Sequence, residues 1–150
     1  EALKKLNVEE AKMIAKDGEG ATKLIECKVL NVSSEEKGEI LGKSILTSNL
    51  VKTAMFGEDA NWGRVICAAG YSGADFDPDK STLYFMSGGE KILLTEKGLP
   101  VSFDENKAFH ILKNNEIQIL LELNEGQYAA TGWGCDLSYE YVKINGEYRS

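Results

Sequence analysis

Two glycine-bearing turns, each set between apolar runs, constrain what this chain can fold into more than any other feature. Ser87-Gly88-Gly89-Glu90 separates Thr82–Met86 from Lys91–Thr95, and Asn124-Glu125-Gly126 separates Glu116–Leu123 from Gln127–Cys135. Glycine takes positive φ without a Cβ clash, so such turns join antiparallel strands. Both segments are therefore expected to be β-hairpins. Residues 21–32 also alternate, with Leu24, Glu26, Lys28 and Leu30 on one face and Lys23, Ile25, Cys27 and Val29 on the other, which predicts a further strand. Helical period governs the rest. Leu3, Val8, Ala11, Ile14 and Ala15 predict an amphipathic helix over 2–16, stopped by Asp17-Gly18-Glu19-Gly20. Ser33-x-x-Glu36 reads as a capping box for a helix through Ile40, Leu41, Ser44 and Ile45. Asn61 can cap a short helix that Gly70 to Gly73 end, and Asp104–Lys113 and the stretch from Tyr139, with Ser138 as cap, read as two more. Residues 49–60 are apolar but ambiguous, and 72–80 read as loop.

Helices and hairpins alternate without a βαβ rhythm. The expected fold class is therefore α+β, with a largely antiparallel sheet and packed helices. At 150 residues, with no linker, repeat or low-complexity stretch, residues 1–150 form a single domain.

Net charge is −7 and the pI about 4.8, so the basic footprint of a nucleic-acid binder is missing. No Lys/Arg cluster suits an anionic membrane, and no apolar run reaches the roughly eighteen residues that a membrane helix needs. The opening segment is amphipathic and helical rather than a signal peptide, and the absence of an initial Met makes Glu1 a processing or engineered boundary. Cys27, Cys67 and Cys135 are odd in number and far apart, which points to reduced thiols in a cytoplasmic setting, without a disulfide framework or zinc ribbon.

The candidates for chemistry are few. In Asp17-Gly-Glu-Gly-Ala-Thr-Lys23, two glycines let the backbone approach a ligand and hold Glu19 in a turn, where its carboxylate can receive an ammonium group. The same pattern equally serves a plain helix-to-strand turn. Asp59-Ala-Asn-Trp-Gly-Arg64 offers polar recognition, or a helix cap at Asn61 with Trp62 packed inward. Ser72 lacks the full nucleophile-elbow pattern. Cys135 beside Asp136 has no nearby base in sequence, and the single histidine, His110, sits on a lysine-flanked helical stretch. With one histidine, no metal site is expected. The end of the chain, Tyr139–Ser150, carries three tyrosines with Val142 and Ile144, which predicts a docked terminus holding its carboxylate in place.

Taken together, residues 11–23 (AKMIAKDGEGATK), 50–73 (LVKTAMFGEDANWGRVICAAGYSG) and 131–150 (TGWGCDLSYEYVKINGEYRS) closely resemble the C-terminal part of the ornithine acetyltransferase family, also called glutamate N-acetyltransferases. The resemblance implies the α/β-sandwich fold of autoprocessing enzymes of that type. It also implies a cytoplasmic acyltransferase of arginine biosynthesis, whose precursor cuts itself before a threonine to give an α and a β chain. That threonine carries acetyl from N-acetylornithine to glutamate in a ping-pong cycle. The cleavage segment, the threonine, the oxyanion-hole residues and a substrate-binding lysine lie upstream in the family, so no catalytic residue falls in this chain, which is expected to be inactive alone. What carries across is substrate binding. Glu19 matches the family's substrate-contacting glutamate, Asn145 its asparagine near the end, and Ser150 its terminal position, where threonine is usual. Gly132 stands where alanine is common.

The implied partners are N-acetylornithine, ornithine and glutamate, the α chain and the upstream part of the β chain in a heterotetramer, with no nucleic acid or membrane. No cofactor is implied, although acetyl-CoA serves as a substrate in bifunctional members. Two other readings stay open: a related autoprocessing amidase or aminopeptidase, and a non-enzymatic amino-acid-binding module.

Overall fold

The sheet is organised around the strand nearest the start of the chain. In the computed structural model, which describes residues 1–148, α1 (Ala2–Lys16) leads into β1 (Leu24–Val32), followed by α2 (Glu35–Thr47), α3 (Asn49–Phe56) and α4 (Trp62–Gly70). Then come β2 (Thr82–Ser87), β3 (Glu90–Glu96), β4 (Leu99–Pro100), α5 (Glu105–Leu112), β5 (Glu116–Glu122), β6 (Tyr128–Cys135) and α6 (Tyr139–Glu147). The strand order is β4-β3-β2-β5-β1-β6, with β1 parallel to β5 and the other neighbours antiparallel. The fold is thus α+β with a largely antiparallel sheet.

The first hairpin forms as its glycines predict. Ser87 pairs with Glu90, and Gly88 and Gly89 both take positive φ (58° and 83°), as a two-residue primed turn requires. The second does not form. β5 and β6 are separated by β1, which pairs with both. The connecting loop crosses the end of β1, where the Asn31 carbonyl accepts the N–H groups of Glu125 (2.8 Å) and Gly126 (2.9 Å). A Cβ on Gly126 would lie 2.5 Å from the Val32 oxygen, so glycine is there for close passage over a strand rather than for a tight reversal. Glu125 ties this loop down, accepting from the Lys37 ammonium (2.5 Å) and the Asp77 N–H (2.9 Å).

One face of the sheet holds the core. Ile25, Cys27 and Val29 of β1 align with Ile117, Ile119 and Leu121 of β5, all at 1% exposure or less, and α2 to α5 close over them with residues such as Leu41, Met55, Val65 and Ile111. The helices start where their caps dictate: Asn61 accepts from the Arg64 N–H, and Asp104 from those of Asn106 and Lys107. At α2 the cap is Ser34, accepting from the Lys37 N–H, one residue later than the Ser33 capping box predicts. With lysine rather than glutamate at the third helical position, only half of that motif forms.

The opposite face is polar. Glu26 accepts from Gln118 (2.9 Å) and the Trp133 indole (2.8 Å) and pairs with Lys28 (2.9 Å). Among the described residues α1 lies over this side, leaving a cleft of about 500 Å³ lined by residues that include Lys12, Met13, Glu26 and Gln118. The apolar stripe of α1 does not face a core, contrary to its pattern: Leu3, Met13 and Ile14 are 70–77% exposed. The chain end expected to dock, with its carboxylate, lies outside the described residues. α6 is anchored at its first turn, while Tyr139, Val142 and Ile144 stay exposed.

Candidate functional site

The turn Asp17–Lys23 is wedged between the end of β6 and the start of α6. Asp17 closes α1 by donating its N–H to the Met13 carbonyl. A Cβ on Gly18 would lie 2.7 Å from the Cys135 sulfur, and one on Gly20, at φ 65°, would lie 2.7 Å from the Tyr141 nitrogen. The Ser138 hydroxyl donates to the Gly20 carbonyl (2.5 Å) instead of capping α6, and Tyr139 meets Phe56 edge-on with ring centres 5.3 Å apart. These contacts explain both glycines. Each stands where another chain segment occupies the space of a side chain.

Behind the turn sits Asp136, a buried carboxylate (3% exposed) at the end of β6. One oxygen accepts the N–H groups of Thr22 (2.8 Å) and Lys23 (2.9 Å), and the other accepts the Thr22 hydroxyl. Sequence reading missed this residue, treating it only as a neighbour of Cys135. The available signal was an acidic residue ending an apolar strand, where an unpaired carboxylate would be costly to bury. Lys23 is also buried, donating to the Leu112 carbonyl and pairing with Glu58 at 3.4 Å.

On the outer side of this clamped turn, Glu19 reaches solvent and meets Asn145 on α6. The Asn145 amide nitrogen donates to Glu19 Oε2 (2.8 Å) and to the Tyr141 carbonyl (2.9 Å), bridging positions 126 residues apart. Glu19 Oε1 and Asn145 Oδ1 have no hydrogen-bond partner among the described residues. Two acceptors side by side suit an ammonium group, while a carboxylate would need donors from elsewhere. Ser150, the third sequence-predicted site residue, lies outside the described residues.

The other candidates are held apart in structural roles. Asn61 caps α4, and Arg64 donates to the Leu50 carbonyl (3.0 Å). Ser72 accepts from the Ala74 N–H (3.1 Å), and His110 Nδ1 bonds the Asn106 carbonyl of its own helix (2.8 Å). Burial, assisted by the neighbouring Glu26 charge, pushes the Cys27 thiol up to about 12, which removes it as a nucleophile.

A family model described as the ArgJ family matches residues 1–150. The chain belongs to the ArgJ family. Members similar to it include the "Arginine biosynthesis bifunctional protein ArgJ" of Caldanaerobacter subterraneus, 54% identical over 99% of this chain and 37% of the relative. The "Glutamate N-acetyltransferase" of Methanosarcina mazei is 50% identical over 92% of this chain and 35% of the relative. Among solved structures, the arginine biosynthesis bifunctional protein ArgJ from Bacillus halodurans superposes with a TM-score of 0.91 at 40% identity, covering 98% of this chain and 68% of that one. The chain thus spans a little over a third of the length of those two relatives.

Proposed function

We propose that this ArgJ-family chain is the substrate-recognition portion of an acyltransferase that moves acetyl from N-acetylornithine to glutamate. The nucleophile is a threonine upstream of these residues, freed by autocatalytic cleavage. Its hydroxyl attacks the acetamide carbonyl, the C–N bond breaks and ornithine leaves as the amine. The amine of glutamate then attacks the resulting ester, and the threonine hydroxyl regains its proton. Splitting the transfer in this way lets one site serve both amino acids. Acetyl-CoA as a second donor fits the relatives named bifunctional. The working unit is a cytoplasmic heterotetramer with the α chain and the upstream part of the β chain.

One observation carries the reading: Glu19 and Asn145 are joined at 2.8 Å and present two free acceptors outward. N-acetylornithine keeps a side-chain ammonium that these acceptors fit, and they can hold the α-ammonium of incoming glutamate until it gives up a proton and attacks. Ser150, outside the described residues, joins them only by the family resemblance. The test pairs the 150-residue chain with the upstream portion of the same protein. Acetyl transfer is expected from the pair and not from the chain alone. Glu19→Gln in the pair should cost about 2 kcal/mol in kcat/KM for both half-reactions, roughly 30-fold. Activity of the isolated chain, or unchanged constants in Glu19→Gln, would overturn the assignment.

A further inference from the structure

Asn145 meets Glu19 because α6 is seated on the same turn at a second point. The Ala21 N–H donates to the Gly18 carbonyl (3.0 Å), which makes Glu19 and Gly20 the two central residues of a four-residue turn. Gly20 takes φ 65°, and its carbonyl accepts the Ser138 hydroxyl at 2.5 Å. No backbone N–H donates to that carbonyl among the described residues. Ser138 is buried and directly precedes α6. A serine in that place ordinarily accepts an N–H of the first helical turn. Ser138 makes no such bond, and its hydroxyl goes to the residue beside Glu19 instead.

Asn145 follows Ser138 by seven residues, close to two turns of about 3.6 residues each, so both stand on the same side of α6. They grip neighbouring residues of the turn, Ser138 the Gly20 carbonyl and Asn145 the Glu19 carboxylate. Between them the Tyr141 nitrogen comes within 2.7 Å of where a Gly20 Cβ would stand, and the Tyr141 carbonyl accepts the Asn145 amide. No residue of α6 is buried, so among the described residues this seat, with the edge contact of Tyr139 on Phe56, fixes the helix.

We propose that Ser138 is a positioning residue for ammonium binding: its bond to Gly20 sets where the Asn145 oxygen stands relative to the Glu19 carboxylate. The proposal rests on the recognition role proposed for Glu19 and Asn145. Ser138 touches no substrate and acts through Asn145. Removing the hydroxyl leaves the Gly20 carbonyl without its donor and frees α6 to shift along the turn, so that the two acceptors no longer meet one ammonium group.

Ornithine affinity, measured by calorimetry on the chain paired with its upstream portion, tests this. Ornithine carries the side-chain ammonium and, with no acetyl group present, does not react. Ser138→Ala should weaken binding about tenfold while circular dichroism stays that of the parent, and Ser138→Thr, which keeps the donor, should restore it. A serine with a merely structural role would act independently of Asn145. A positioning one does not, so in an Asn145→Ala background Ser138→Ala should change affinity by less than about twofold. Glu19→Gln is the reference. If it leaves ornithine affinity unchanged, the ammonium reading and this proposal fall together. If Glu19→Gln weakens binding and Ser138→Ala does not, the positioning role alone is refuted. A loss that threonine does not restore, or one equally large in the Asn145→Ala background, refutes it too.

Discussion

Replacing Asp136 tests how the exposed turn at Glu19 is held. The carboxylate is buried and accepts from two backbone N–H groups and the Thr22 hydroxyl. Asp136→Ala removes the acceptor and strands the N–H groups of Thr22 and Lys23, each costing about 1–3 kcal/mol when left unpaired in a buried place. The hydroxyl can rotate towards another partner, so the loss should total about 3–5 kcal/mol, a large share of the 5–15 kcal/mol that typically holds a domain of this size together. Asp136→Asn is the informative control. Its carbonyl oxygen can still take both N–H groups, and its amide can donate to the Thr22 oxygen. Only the charge assistance is lost, at about 1 kcal/mol. Urea unfolding followed by tryptophan fluorescence measures both, with unchanged slopes and a midpoint much lower for alanine than for asparagine. If alanine costs under about 1 kcal/mol, or asparagine is as damaging, Asp136 does not hold the turn in the way the distances imply.

Two further outcomes follow from ionisation. Burial alone would raise the Glu125 carboxyl, but the Lys37 ammonium, the Asp77 N–H and nearby Lys80 together hold it below the ordinary carboxylate value. A depressed folded-state pKa contributes stability above the unfolded value, near pH 4.3 for glutamate, and loses it as pH falls through the folded value. Glu125→Gln should therefore be less stable than the parent at pH 7, with the gap closing below about pH 4; a constant gap across acid titration would refute this. For the thiols, an alkylating reagent at pH 8 should modify exposed Cys67 in the folded protein, while Cys27 reacts only on unfolding. Mass spectrometry of quenched samples distinguishes the two sites.

Local signals translated well wherever a residue acts on its immediate neighbours. Asn61 and Asp104 cap the helices their spacing announces, and Gly88-Gly89 makes the turn that two adjacent positive φ values demand. What failed was whatever depends on a third segment. Asn124-Glu125-Gly126 reports a change of direction, but nothing in those residues says that β1, 92 positions before Gln118 at Glu26, lies between the strands they join. The stripe on α1 reports amphipathicity without saying what it meets, and here Leu3, Met13 and Ile14 meet solvent. Glu19 and Asn145 could be named from the family resemblance, whereas Asp136 could not be weighed, since its three donors lie 113–114 positions away.

The insertion of β1 between β5 and β6 also sets an order of events as the chain is made. Within residues 1–150, β1 is the first strand made, yet both of its neighbours are the last two of the six. Until Glu116–Glu122 has emerged, Ile25, Cys27 and Val29 have no strand to pair with, and until Tyr128–Cys135 follows the second edge of β1 stays open. Pairing over such sequence distance closes large loops before it gains contacts, which slows folding relative to local hairpins such as β2–β3. The hairpin can form early, but the sheet cannot be completed in sequence order. Nascent chains paused before β6 are thus the form of this protein most exposed to mispairing, and the form a holding chaperone would meet.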